Sequence, residues 1–123
     1  MEFLRKECLR TGIELNDLQI SRFSNYYHTL IEWNKKINLT SIVDEKEVVT
    51  RHFMDSLEVL RVINDHLKPP FRVIDIGSGA GFPGIPVAIM EDKANVDLVE
   101  STGKKTTFLE HVVSKLNLIN ISI

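Results

Sequence analysis

Apolar side chains in the first seventy residues recur every three or four positions, which is the spacing of an amphipathic helix. The longest such stretch, residues 18–31, is followed by Lys35 and Lys36, cations that favour the end of a helix. Pro69 and Pro70 predict where the helical part stops, because proline lacks the N–H group that a helix needs. Polar pairs three residues apart predict three helix starts, at Asn16 with Gln19, Asp44 with Glu47, and Asp55 with Glu58.

From residue 71 the pattern changes to short runs rich in β-branched residues, alternating with helical stretches. This β-α-β-α-β order predicts a parallel sheet with crossover helices. Right-handed crossovers then place the second and third strands successively to one side of the first. The predicted strands are Phe71–Ile76, Val96–Glu100 and Ile119–Ile123, and the predicted helices are Pro86–Asp92 and residues 103–116.

Composition narrows the class of protein without naming a function. The 123 residues carry a net charge of −2 and are 43% hydrophobic, which is typical of one ordinary globular domain at most. The pI of about 6.1 argues against a strongly basic nucleic-acid-binding surface. No apolar run reaches the roughly 20 residues that span a bilayer, the charged N-terminus is not a signal peptide, and Cys8 has no disulfide partner. We therefore expect a cytoplasmic protein.

The glycine-rich segment from Asp75 to Pro86 lies between a predicted strand and a predicted helix, and it can be read in two ways. Gly79, Gly81 and Gly84 have the spacing of a dinucleotide-binding fingerprint, and Glu100 follows Gly81 by 19 residues, close to the ribose-binding acid of that fold. This register predicts an enzyme that binds a nicotinamide or flavin dinucleotide.

The second reading starts directly at the strand, as Asp75-x-Gly77-x-Gly79-x-Gly81. This form resembles motif I of the class I S-adenosylmethionine-dependent methyltransferases. S-adenosylmethionine has no phosphate, so the loop would only have to admit its methionine part against bare backbone. In this reading Asp75 addresses the cofactor's ammonium, directly or through water, and Glu100 accepts both ribose hydroxyls.

A wider set of motifs runs along the chain in a fixed order. The motifs are Trp33-Asn34, Asn38-Leu39-Thr40, Arg51 to Leu57, Asp75 to Pro86, and Leu98-Val99-Glu100-Ser101 with Lys104-Lys105 and Phe108-Leu109. This set resembles one bacterial family, the small-subunit (16S) ribosomal RNA guanine-N7 methyltransferases, also called the RsmG or glucose-inhibited division protein B (GidB) family. The resemblance implies a class I methyltransferase domain with a Rossmann-like parallel sheet, S-adenosyl-L-methionine as cofactor, and 16S rRNA or the small ribosomal subunit as partner, without metal or membrane.

Family members run on past residue 123, so the resemblance also implies a truncated domain. We expect a helical extension at residues 1–70 and, at 71–123, the first half of the methyltransferase domain, cut after its third strand. This chain alone is then expected to be inactive, because one side of the ligand crevice and a strand neighbour for Phe71–Ile76 are not encoded. A non-catalytic module that binds cofactor or RNA is a further alternative.

Site residues follow from the same resemblance. His52 and Asp55 can also be read as a half-buried packing residue and a helix cap, and Lys104 and Lys105 as a solvated helix face. Tyr26 is interpreted as a core residue whose hydroxyl meets solvent. The expected cofactor-binding residues are Asp75, Gly77, Ser78, Gly79, Gly81, Phe82, Glu100 and Ser101, and the substrate or pocket candidates are Asn38, His52, Asp55, Lys104 and Lys105.

Overall fold

Side-chain caps start the helices of the N-terminal part. In the computed structural model, which describes residues 1–123, α1 spans Glu2–Arg10 and α2 spans Asp17–Ile37. The Asn16 side chain accepts from the Gln19 N–H, and the Gln19 side chain accepts from the Asn16 N–H, so the predicted capping box is confirmed. The short helix α3, Glu45–Val48, starts as predicted, with the Asp44 carboxylate accepting from the backbone of Glu47.

The helix start predicted at Asp55 is wrong. Helix α3 continues through a π-helical segment, Val49–Phe53, directly into α4, Met54–His66. Phe53, at the junction, has helical backbone angles and gives no side-chain cap. Because the preceding turns already pair the backbone there, no capping side chain is needed. Asp55 therefore lies within the first turn of α4 with its side chain exposed, and it is not a helix cap.

The sheet has three parallel strands in the order β1-β2-β3, so the predicted sideways progression is confirmed. Strand β1 pairs with β2 over its whole length, from Phe71 opposite Ala94 to Ile76 opposite Val99, and its other edge has no strand neighbour. The structure shifts several predicted ends by a few residues. Its elements are β1 Phe71–Ile76, α5 Gly84–Met90, β2 Ala94–Val99, α6 Gly103–Lys115 and β3 Ile121–Ser122.

One face of the sheet carries the hydrophobic core. Helix α5 packs on this face, and α2 contacts both α5 and α6. A single core cluster joins Phe23 and Phe53 of the N-terminal helices to Leu98 of the sheet and Phe108 of α6. The N-terminal helices and the sheet therefore share one core, while the division of the chain at residue 70 stays a prediction. None of the helices combines the length and the apolar composition that crossing a membrane requires.

Candidate functional site

The loop after β1 holds three glycines with positive φ angles: +72° at Gly77, +56° at Gly79 and +101° at Gly81. Residues with a side chain rarely adopt these angles, which explains the alternating glycines. A Cβ atom at Gly77 would meet nothing within 4 Å, whereas one at Gly81 would lie 2.7 Å from the Tyr26 hydroxyl. The first part of the loop therefore presents bare backbone to open space, and its third glycine faces the protein interior.

Glu100 lies beside this loop, at the end of β2. One carboxylate oxygen accepts from the Gly79 N–H at 2.8 Å and the other accepts from the Thr102 N–H at 2.9 Å. These two backbone hydrogen bonds, that from Thr102 first, hold the pKa of Glu100 below its usual value. A carboxylate offers about four lone-pair positions. Glu100 therefore keeps accepting capacity for a further donor.

Asp75 and Ser78 are buried beneath the loop. The Asp75 carboxylate accepts from the Gly84 N–H at 3.1 Å, and the Ser78 hydroxyl donates to the Asp75 carbonyl at 2.9 Å. Burial raises the pKa of Asp75, a shift that the hydrogen bond from Gly84 opposes. These two predicted cofactor residues thus tie the loop to the start of α5. Ser101 follows Glu100 in the sequence and is exposed.

Tyr26 supports the loop from below, and the interpretation that its hydroxyl meets solvent is wrong. The side chain is fully buried, and its hydroxyl donates to the Ala80 carbonyl at 2.6 Å. Burial raises the pKa of this phenol well above its ordinary value. The ring also stacks on Phe82, with centroids 5.3 Å apart. Sequence reasoning missed this function because no local pattern links α2 to a loop 54 residues away.

The π-helical segment brings His52 against the same loop. The His52 and Phe82 rings stack at 4.4 Å with an interplanar angle of 11°. Nε2 of His52 lies 3.0 Å from the Thr40 hydroxyl. The Asn34 side-chain oxygen accepts a hydrogen bond from the Thr40 N–H at 2.9 Å. Partial burial lowers the pKa of His52, against the opposite effect of Asp55. The loop between α2 and α3, the π-helical segment and the glycine loop therefore meet here.

A cavity of about 190 Å³ opens between the π-helical segment, the start of α4 and the end of the glycine loop. Of the five substrate or pocket candidates, His52 and Asp55 line it, and the other three do not. Asn38 ends α2 with an exposed side chain, Lys104 is exposed at the start of α6, and Lys105 lies close enough to Glu100 to lower its pKa. The residues lining the cavity are Arg51, His52, Asp55, Ser56, Val59, Phe82 and Pro83.

A larger cavity of about 570 Å³ lies elsewhere, between α1, α4 and the end of α5. Its walls include Ile13, Leu57 and Met90, and it contains no residue of the glycine loop. Ligands of open α/β sheets bind outside the carboxyl ends of the strands, where the loop and Glu100 lie. The larger cavity is therefore not part of the candidate site.

Comparison with solved structures shows the fold class. Coclaurine N-methyltransferase, solved bound to N-methylheliamine and SAH, superposes with a TM-score of 0.52 at 16% sequence identity. The match covers 98% of this chain and 42% of that chain. The predicted α/β fold with a parallel sheet is thus confirmed, and this chain shares it with that methyltransferase.

Comparison with curated sequences shows the family. Proteins called ribosomal RNA small subunit methyltransferase G are 46% identical over 123 residues in Roseiflexus castenholzii and 42% identical over 120 residues in Clostridium perfringens strain 13. The chain spans about half the length of these relatives, 51% and 49%. The family profile described as rRNA small subunit methyltransferase G matches residues 19–123. The resemblance drawn from the motifs is confirmed, and the chain belongs to the rRNA small subunit methyltransferase G (GidB) family.

Proposed function

We propose that this chain carries the cofactor-binding part of an enzyme that transfers a methyl group from S-adenosylmethionine to N7 of a guanine in small-subunit rRNA. The observation that carries the proposal is the bare backbone at Gly77 and Gly79 directly beside the carboxylate of Glu100. Family membership supports small-subunit rRNA as the proposed substrate, as 16S rRNA alone or within the small ribosomal subunit. The proposed location is the cytoplasm.

The chemistry of the loop fits this cofactor. S-adenosylmethionine carries an ammonium group and two ribose hydroxyls that donate hydrogen bonds, and the acceptors near the loop are the carboxylate of Glu100 beside it and that of Asp75 buried beneath it. Glu100 would accept from the ribose hydroxyls, Asp75 would face the ammonium, and the backbone at Gly77 and Gly79 would line the methionine part. When bound, the cofactor supplies the methyl group from a sulfonium centre.

The dinucleotide alternative has weaker support. In that fingerprint the second glycine lets the backbone approach a pyrophosphate. Here the second glycine would be Gly81, and a Cβ at that position would meet Tyr26 and Ile85 inside the protein. The Glu100 carboxylate beside the loop also disfavours a pyrophosphate there. The geometry therefore favours a cofactor without phosphate.

The proposed reaction needs no general base from the protein. Guanine N7 carries a lone pair and no proton, so positioning and exclusion of water are the main requirements, and proximity can be worth ~7–11 kcal/mol. Partial burial lowers the pKa of His52 and so favours its neutral form. Ser101 and Phe82 would border the cofactor, and Asn38, Lys104 and Lys105 would contact the RNA, the lysines through phosphates.

The test uses a full-length protein that carries these residues. Glu100→Gln should weaken S-adenosylmethionine binding by ~1.5–3 kcal/mol, the range for hydrogen bonds to a charged group, as measured by calorimetry. Glu110→Gln, an exposed acid on α6, is the matched control and should leave the affinity unchanged. An unchanged affinity in Glu100→Gln would remove this residue from the site.

The same protein also distinguishes the alternatives. The proposed function requires N7-methylguanosine in small-subunit RNA after incubation, detected by mass spectrometry of its nucleosides. Binding of NAD without binding of S-adenosylmethionine would instead support the dinucleotide enzyme. Binding of S-adenosylmethionine without methyl transfer to RNA or to the assembled subunit would support a non-catalytic module.

A further inference from the structure

The cavity beside Phe82 has the size of one heterocyclic base. At roughly 30 Å³ per water molecule, a volume of about 190 Å³ holds about six waters, and it is smaller than the ~300–1,000 Å³ of sites for drug-sized ligands. Half-buried His52, Phe82 and Pro83 form its inner surface, and exposed Arg51 and Asp55 form its margin. A cavity with an aromatic inner surface and charged groups at its margin suits a planar ligand that has polar groups along its edge.

The inner surface of the cavity belongs to a cluster of stacked aromatic rings. Phe82 stacks with His52 and with Tyr26, and Tyr26 in turn stacks with Phe53. Proteins that recognise single-stranded RNA commonly stack unpaired bases against such aromatic side chains. The segment that carries His52 is π-helical, a conformation that is rare and frequently found at functional sites.

The two charged groups at the margin are free to bind a ligand. The Asp55 carboxylate and the Arg51 guanidinium make no hydrogen bond or ion pair within the chain, unlike Glu58 and Arg61 further along α4, which pair with each other. A carboxylate only accepts hydrogen bonds, and guanidinium is a good partner for phosphate. The margin thus offers an acceptor for a base edge and a donor for the backbone of the same nucleotide.

We infer that this cavity receives the guanine that is methylated, and that Asp55 selects it by accepting hydrogen bonds from N1–H and the 2-amino group. The inference rests on the proposed function and adds the subsite for the target base. Guanine presents these two donors side by side, whereas adenine presents an acceptor at N1, which a carboxylate repels. Enzymes that act on a base commonly take it out of the stack into such a pocket.

The test compares RNA that carries guanine at the target position with RNA that carries inosine there. Inosine lacks the 2-amino group but keeps N7, so the reacting atom is unchanged. In a full-length protein that carries these residues, the replacement should lower kcat/KM for methyl transfer roughly 10–100-fold, as expected for loss of a hydrogen bond to a charged group. Asp55→Asn should lower kcat/KM for the guanine RNA by a similar factor.

The decisive result is the double variant of enzyme and RNA. If Asp55 contacts the 2-amino group, the loss of kcat/KM for Asp55→Asn acting on inosine RNA should be much smaller than the product of the two separate losses. S-adenosylmethionine affinity should stay unchanged in Asp55→Asn. Asp65→Asn, an exposed acid on the same helix, is the control and should leave the kcat/KM for both RNAs unchanged. Asp55→Ala gives the same readout if the asparagine variant does not fold.

Two outcomes would overturn the inference and leave the proposed function standing. One is that Asp55→Asn methylates both RNAs as the wild type does, and the other is that the losses from enzyme and RNA simply multiply. A wild-type protein that binds S-adenosylmethionine but methylates neither RNA nor subunit contradicts the proposed function, and the inference falls with it.

Discussion

The two faces of the sheet differ in what covers them. On the inner face, alternate residues of β1 and β2 are buried under helices, and Leu98 is 2% exposed. On the outer face, Ile76 is 81% exposed and Val99 is 49% exposed. The contacts made across the outer face are polar, from Arg72 and Ser122 to Asp97.

This difference shows where the glycine loop gets its support. Its conformation is held from the inner side, by Tyr26 of α2 and by His52 of the π-helical segment. The N-terminal helices therefore contact the loop directly and stabilise its conformation. The outer face makes no comparable contact within residues 1–123. Chemically similar substitutions should consequently lower the free energy of unfolding much more on the inner side than on the outer side.

The largest effect is expected for Gly81→Ala. The new Cβ would lie 2.5 Å from Ile85 and 2.7 Å from the Tyr26 hydroxyl, at a φ of +101°. Backbone strain and overpacking together should lower the free energy of unfolding by ~2–5 kcal/mol in urea denaturation. Gly12→Ala is the control, because it has a φ of +84° and open space around the new atom. Gly12→Ala should lower the free energy of unfolding only by the backbone strain, ~1–2 kcal/mol. Equal losses in the two variants would contradict the predicted support of the loop from the inner side.

The next effect is expected for Tyr26→Phe, which removes only the hydroxyl that donates to Ala80. A buried carbonyl without its partner costs ~1–3 kcal/mol in the free energy of unfolding. Tyr27→Phe is the control, since its hydroxyl donates to the exposed carbonyl of Val43, which water can reach. Chemical denaturation should show a cost below ~1 kcal/mol for this control, and a similar cost in both variants would show that the loop does not depend on Tyr26.

The sequence alone predicted those parts of the site that follow from local patterns. The loop and Glu100 could be placed side by side because the carboxyl ends of neighbouring parallel strands meet at one edge of a sheet. The helix start at Asp55 was mispredicted because the Asp-x-x-Glu pattern also occurs inside helices, and the pattern does not reveal a π-helical segment upstream. The bond between Tyr26 and Ala80 joins residues 54 positions apart, so no periodicity could indicate it.

A smaller effect is expected from the titration of His52. Burial lowers the pKa of this side chain in the folded protein, so folding favours the neutral ring. The resulting stability is fully present above the unfolded pKa of ~6.5 and is lost as the pH falls below it. His52→Gln should therefore make the free energy of unfolding less dependent on pH below about pH 6.5. An unchanged slope would mean that His52 is not held neutral against Phe82.

The smallest effect is expected for Ile76→Ala on the outer face. A side chain that is 81% exposed has little apolar surface to lose, so the free energy of unfolding of this chain should change by at most ~0.5 kcal/mol. Leu98→Ala, on the inner face of the neighbouring strand, is the matched control and should cost ~2–5 kcal/mol. A cost of ~2 kcal/mol or more for Ile76→Ala would show that the outer face is covered in solution. If this cost also rose with protein concentration, a second copy of the chain would be the cover, because stabilisation by association depends on concentration.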